Sequence, residues 1–268
     1  MSSYIAVTGG VNVDIGAQPS QRLRTKDSNP GYVHTSLGGV GRNIAHNLRL
    51  LGAEVELLTA LGSDGYARAM AESCASLGIG VEHALRVPDV RTSTYVYIND
   101  ERGDMALAVS DMAICEKLTP DYFAGCLELL NGAALVVADT NLPAESLAYL
   151  AEHLTVPLFI DPVSVAKADK LTELLPRIHT LKPNALEAEL LSGVPVVDRN
   201  SARRAARRLI DLGVKQVFLS LGKEGFLAAA EDETVWEPAP RAEVKSTTGA
   251  GDALMAALAW AWLRGENM

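Results

Sequence analysis

The chain has 268 residues, 48% of them hydrophobic, and its 33 acidic against 24 Lys and Arg residues leave a formal net charge of −9. That apolar content suffices for the core of a large α/β domain. An acidic balance without a basic stripe argues against a nucleic-acid partner. Three cysteines (Cys74, Cys115, Cys126) and five scattered histidines show no metal-ligand spacing. This predicts reduced thiols and no zinc site. No basic-then-apolar signal pattern opens the chain at Met1–Ala6, and no apolar run reaches the roughly 18 residues that span a membrane. The expectation is a soluble, cytoplasmic protein with no membrane partner.

In chain order, a first core strand is predicted at Tyr4–Val7, with Asn12 and Asp14 at its carboxyl end. At a spacing of two they point the same way, an amide and a carboxylate able to grip a diol; a turn-initiating pair is the plain alternative. Asp14–Ser36 is polar, holds Pro19 and Pro30, and shows no helical period. Leu37-Gly38-Gly39-Val40-Gly41-Arg42-Asn43 then puts three glycines before a helix expected at Asn43–Leu51. Those glycines would admit a ligand close to the backbone, with Asn43 on sugar hydroxyls, or would form a tight turn with Asn43 as helix cap. A dinucleotide fingerprint fails on context, because the glycines do not follow the first strand. A strand at Val55–Ala60 and a helix at Tyr66–Leu77 follow. Arg91–Ile98 and Met105–Val109 then read as a β-hairpin around Asn99–Asp104.

Further strands are predicted at Ala134–Ala138, Leu158–Ile160, Thr180–Leu181, Gln216–Ser220 and Phe226–Ala229, with helices at Ala144–His153, Ala185–Leu191 and Ala202–Leu212. Gly52, Gly78, Gly193 and Gly213 suit helix C-termini. The alternation predicts a mainly parallel sheet with helices on both faces, binding ligands beyond the strands' carboxyl ends. Asp139-Thr140-Asn141 and Asp161-Pro162 each end a strand on that edge. Asn184 and Glu187, in Lys182-Pro183-Asn184-Ala185-Leu186-Glu187, fit a helix capping box and, alternatively, water held on a magnesium ion. Arg203, Arg204, Arg207 and Arg208 read as a solvated helix face. Ser220-Leu221-Gly222-Lys223-Glu224-Gly225 would meet a nucleotide through backbone groups. Thr247-Thr248-Gly249-Ala250-Gly251-Asp252 opens a last apolar helix through Ala253–Leu263. Its exposed amides at the positive helix end suit a phosphate, and Asp252 would act as a base beside it. Tight helix packing with an ordinary first-turn acid is the plain reading of those six residues.

Gly38-Gly39-Val40-Gly41-Arg42-Asn43 and Thr248-Gly249-Ala250-Gly251-Asp252, together with Asn184 and Glu187 as an Asn-x-x-Glu motif, resemble the ribokinase (PfkB-type carbohydrate kinase) family over nearly the whole chain. The resemblance implies a ribokinase-like α/β fold across residues 1–268, with a small β-sheet lid from insertions at about 14–36 and 91–110. It implies Asp252 as base, with the amides of Gly249, Ala250 and Gly251 around the transferring phosphoryl group. Asn12, Asp14, Gly39, Gly41 and Asn43 would hold the sugar, with Ser93, Tyr95 and Asn141 also at the substrate. Asn184, Ser220, Gly222, Gly225 and Thr248 would line the ATP site. Glu187 and Asn184 would place Mg²⁺ through water, and K⁺ would sit near the anion hole. Longer stretches, such as Asp161-Pro162-Val163-Ser164 and Ile178-His179-Thr180-Leu181-Lys182-Pro183-Asn184, resemble the members acting on pseudouridine at the 5′-hydroxyl. Another nucleoside or sugar, or a silent binding role, stays open. A homodimer joined through the lid is also implied. Family members continue past the position of Met268 with helices that wall the adenine pocket, so a missing C-terminal segment is expected.

Overall fold

The computed structural model describes residues 4–241, 243 and 247–266; Met1–Ser3 of the stretch read for a signal pattern lie outside them. A nine-stranded sheet forms the body. Tyr4–Thr8 lies between Glu54–Leu58 and Val136–Asp139, with Ile79–Gly80 beyond the former. Beyond the latter follow Leu158–Asp161, Thr180–Leu181 and Gln216–Ser220, all parallel, then Phe226–Ala229 and Thr234–Glu237 antiparallel. The parallel strands read as unbroken apolar runs because both of their faces are buried. Alternate residues feed two cores. Ala6, Val136 and Ala138 join Phe123, Leu147, Leu150 and Leu209 on one face. Ile5, Val7, Leu135 and Val137 join Ile44, Leu48, Met70 and Met255 on the other.

The helices Val40–Leu50, Gly65–Ser76 and Ala250–Leu263 cover this second face, and Ala144–His153, Ala185–Ser192 and Arg199–Asp211 cover the first. The four helix-ending glycines all adopt positive φ, from 70° at Gly193 to 107° at Gly213. The arginine cluster lies on the exposed side of Arg199–Asp211 while Ala202, Ala205, Ala206 and Leu209 are buried. Asn43 is not a helix cap: the helix opens at Val40 with Gly39 as its N-cap residue. Cys74, Cys115 and Cys126 are free thiols. Among the described residues no helix is long and apolar enough to cross a membrane.

A separate four-stranded sheet has the order Gly31–Gly38, Asn12–Pro19, Thr94–Asn99, Met105–Asp111. Its outer pairs are antiparallel, and its central pair, Asn12–Pro19 with Thr94–Asn99, is parallel. Asn12 and Asp14 therefore do not end the first strand of the body. Gly9–Val11 intervene, and the two residues open the small sheet. Register gives that sheet two distinct faces. Val33, Ala17, Ile98 and Leu107 align on one, with Ile15, Val96 and Val109. Asp14, Ser36, Tyr95 and Ser110 align on the other.

Candidate active site

The parallel strands end together, and their ends carry Gly9-Gly10, Asp139, Asp161, Lys182 and Ser220. The helix Ala250–Leu263 starts over this edge. Gly249 caps it in the left-handed region at φ 80°, where nothing lies within 4 Å of an added Cβ. The Ala250 amide turns back to the Thr247 carbonyl at 3.3 Å, so it is engaged within the turn. Asp252 falls in the first turn and is 9% exposed. Burial pushes its pKa up to about 6, helped by the Asp161 charge and opposed by the Asn43 hydrogen bond and Lys182. Asn43 Nδ2 donates to Asp252 Oδ2 at 2.8 Å. The two glycine-rich segments, far apart in sequence, thus meet at one carboxylate.

The glycines before Asn43 serve the chain's own backbone. Gly39 has φ 99°, and a Cβ there would lie 2.4 Å from Val11 Cα and 2.5 Å from the Gly10 carbonyl oxygen. Gly41 donates its amide to that same carbonyl at 3.1 Å. The close approach read from sequence as room for a ligand is therefore filled by Gly9–Asn12. Any Cβ on Gly38 would meet Asp14 Oδ2 at 2.3 Å, which brings Asp14 onto the same patch. Asn12 Nδ2 donates to Asp14 Oδ1 at 2.6 Å. Burial raises the Asp14 pKa, against the pull of Asn12 and His34.

Tyr95 and Tyr97 stand on the Asp14 face with ring centroids 5.9 Å apart, and the Tyr97 hydroxyl meets His34 Nε2 at 2.9 Å. Ser93 shares their parity but precedes the strand and is buried; its carbonyl accepts from the Val13 amide at 2.9 Å. Asn141 is buried beside Gly10, with its Oδ1 accepting from Lys167. Asp139 next to it is fully buried and accepts the amides of Gly10 and Asn141 at 2.9 and 2.8 Å. Burial pushes its pKa up to about 7.

Asn184 and Glu187 form the capping box. Glu187 Oε2 accepts the Asn184 amide at 2.9 Å, and Asn184 Oδ1 accepts the Glu187 amide at 3.0 Å. Asn184 Nδ2 also donates to Glu187 Oε1 at 2.8 Å. A single β-bridge sets Asn184 beside Ser220. Gly222 is left-handed with open space before it, whereas Gly225 is required by packing: an added Cβ would lie 2.0 Å from the Glu237 carbonyl oxygen.

Sequence reasoning gave Lys182 no role and Asp161 only a place on the edge. They form a buried ion pair of 3.2 Å, side chains 5% and 6% exposed. A Cβ on Gly251 would lie 3.1 Å from Lys182 Nζ. The available signal was positional: both residues terminate neighbouring parallel strands.

The ribokinase of Arabidopsis thaliana solved with ribose and ATP superposes with a TM-score of 0.88 at 24% identity, covering 100% of this chain and 88% of that one. A carbohydrate kinase from Agrobacterium tumefaciens gives 0.85 at 29%, covering 99% and 85%. The architecture is thus the ribokinase-like α/β fold, a large mostly parallel sheet with a smaller separate one. Residues 2–268 match the family described as pfkB family carbohydrate kinase. The chain belongs to that family and is a phosphotransferase acting on a hydroxyl group. It is 39% identical to the pseudouridine kinase of Escherichia coli K12 over 98% of this chain and 84% of that protein. It is 38% identical to an uncharacterized sugar kinase, YeiI, of the same organism, over 98% and 74%.

Proposed function

We propose that the protein transfers the γ-phosphoryl group of ATP to the 5′-hydroxyl of pseudouridine, giving pseudouridine 5′-phosphate. The observation that carries this reading is the buried Asp252 carboxylate at the start of the helix, held by Asn43. A pKa near 6 leaves it mostly ionised at neutral pH and still basic enough to draw the hydroxyl proton as the oxygen attacks. Asn12, Asp14, Asn43 and Asn141 hold the ribose, and Tyr95 covers the base. Gly39 and Gly41 shape the turn that positions Asn43 beside the sugar. The amides of Gly249 and Gly251 face the phosphoryl group at the positive helix end, while that of Ala250 closes the turn onto Thr247. Thr248, Asn184, Ser220 and Gly222 border the nucleotide, and Gly225 keeps that loop against its strand.

Glu187 fits magnesium held through water. Each of its oxygens accepts one Asn184 hydrogen in the capping box, which leaves lone pairs for water. Glu187 and Asn184 would hold the ion through water, leaving its other positions to phosphate oxygens as magnesium chemistry favours. When bound, magnesium neutralises phosphate charge. The apolar face of the small sheet, with Val33 68%, Leu107 61% and Val109 62% exposed, supports pairing with the same face of a second copy.

The likeness to YeiI favours a second reading, the same transfer to a sugar. ADP release from Mg-ATP with pseudouridine, uridine, ribose and hexose phosphates tests both. Selective turnover with pseudouridine is expected. Preference for a sugar selects the second reading, and nucleoside binding without turnover selects a silent homologue.

A further inference from the structure

The carboxyl edge carries one buried cation that the reading above does not use. Lys182 follows the strand Thr180–Leu181 and reaches Asp161 on the neighbouring strand at 3.2 Å. Ion pairs this deep are poor stabilisers, because desolvation offsets their attraction and apolar pairs of like volume do as well or better. Folding alone therefore gives little reason for charge here. The loop carrying Asp161 also holds an unfavourable conformation. Val163, β-branched, adopts φ 63°, a cost tolerated only where surrounding contacts impose it. Its amide is held by Asp161 Oδ1 at 2.9 Å, and the Thr140 hydroxyl donates to the Pro162 carbonyl at 2.5 Å. These contacts fix Asp161, and Asp161 fixes Lys182.

What the ammonium faces is specific. Nζ lies against the first turn of Ala250–Leu263, on the glycine one residue before Asp252, near enough that a Cβ on Gly251 would stand 3.1 Å away. Asp252 lies within electrostatic reach of both Asp161 and Lys182. The geometry points to Lys182 as a further catalytic residue, whose ammonium binds the phosphoryl group in transit from the nucleotide to the substrate hydroxyl. This rests on the reading of Gly249–Asp252 as the transfer site. During transfer the bond from the γ-phosphorus to the oxygen bridging it to the β-phosphate breaks, and its electron pair leaves with ADP. A bond from the hydroxyl oxygen to phosphorus forms, and the hydroxyl proton passes to Asp252. Lys182 donates hydrogen bonds to equatorial oxygens and adds to what the helix amides offer their negative charge. Asp161 keeps the cation aimed before the nucleotide arrives.

The test compares the full chain with Lys182→Met, Lys182→Arg and Asp161→Asn, each checked for folding by circular dichroism. With Mg-ATP and pseudouridine, Lys182→Met lowers kcat by roughly 10²–10³, the scale for losing one donor to a developing charge, while KM for the nucleoside changes by less than about threefold. Affinity for AMP-PNP drops about tenfold relative to ADP, since only the former carries a third phosphoryl group. Lys182→Arg recovers part of both. A folded Lys182→Met protein with near-parental kcat, or one that loses AMP-PNP and ADP affinity equally, overturns the proposal. Should Lys182→Met fail to fold, Asp161→Asn decides. Removing the partner that aims the ammonium lowers the preference for AMP-PNP over ADP, and an unchanged or raised ratio overturns the assignment. A parent enzyme that turns over no acceptor would sink the reading of the transfer site itself, and the AMP-PNP to ADP ratio would still judge Lys182.

Discussion

The Asn43 amide donates to the Asp252 carboxylate at 2.8 Å across 209 residues of chain. Asn43 lies inside the helix Val40–Leu50, and Asp252 lies in the first turn of Ala250–Leu263, which packs against it. One hydrogen bond thus registers the two helices and aims the proposed base. Asp252→Asn preserves this contact through its amide oxygen but cannot take a proton. Turnover should fall by roughly 10²–10⁴, the scale for a positioned base, with the thermal midpoint close to the parent's. Steady-state ADP release and a melting curve check both.

The pH dependence follows from the same residue. With its folded pKa raised to about 6 by burial, Asp252 becomes protonated as pH falls through that value. The rate should therefore drop about tenfold per pH unit below it and level off above. A kcat/KM profile from pH 4.5 to 8.5 shows whether that limb exists, and a flat profile would assign the proton to another group.

Asp139 makes a prediction about stability. Its folded pKa of about 7 stands above the ordinary 3.8, so between those values the native state binds more protons than the unfolded one. By linkage, unfolding free energy falls as pH rises through that window, by at most about 1.4 kcal/mol per pH unit for this group. Asp139→Asn cannot ionise. Its urea-unfolding stability relative to the parent's should improve steadily from pH 5 to pH 7.5, and a constant difference would mean that Asp139 titrates normally.

Two glycines should separate by mechanism. Gly39→Ala drives a Cβ into fixed backbone at 2.4 Å in a left-handed residue, and should lower stability by several kcal/mol or prevent folding. Gly249→Ala meets no atom within 4 Å and bears only the left-handed strain, about 1–2 kcal/mol. Chemical denaturation of both variants distinguishes them.

Leu107→Lys together with Val109→Lys places charge on the exposed apolar face of the small sheet. Light scattering should show the parent as a dimer and the variant as a monomer. Unfolding of the variant monomer should stay within about 0.5 kcal/mol, as for ordinary surface changes. A parent that is monomeric at all concentrations ends the proposal of pairing through this face.

The strand–helix alternation of the body was readable because parallel strands buried on both faces are short apolar runs punctuated by glycine. Thr180–Leu181, Gln216–Ser220, Phe226–Ala229 and Ala144–His153 match the predicted bounds. Sequence spacing also carried the capping box at Asn184 and Glu187, which is local by nature. What it could not carry were contacts between distant segments. Lys182 with Asp161, Asn43 with Asp252, and Gly39 against Val11 depend on which strands become neighbours. Asn12 and Asp14 were placed at the end of the first strand because Gly9-Gly10 gave no local sign that a new sheet begins there. Their common orientation still followed from the period of two, and the hydrogen bond between them reflects it.

The parallel pairing of Asn12–Pro19 with Thr94–Asn99 has a consequence for the order of assembly. The hairpin formed by Asn12–Pro19 and Gly31–Gly38 can close soon after it leaves the ribosome. Its parallel neighbour arrives only after the intervening strands and helices have been synthesised, and such non-local pairings close slowly. During synthesis the hairpin therefore waits with one long edge unpaired while the chain between folds onto the body. The small sheet is begun early and finished late, and that waiting edge is where a nascent chain is most exposed to wrong partners.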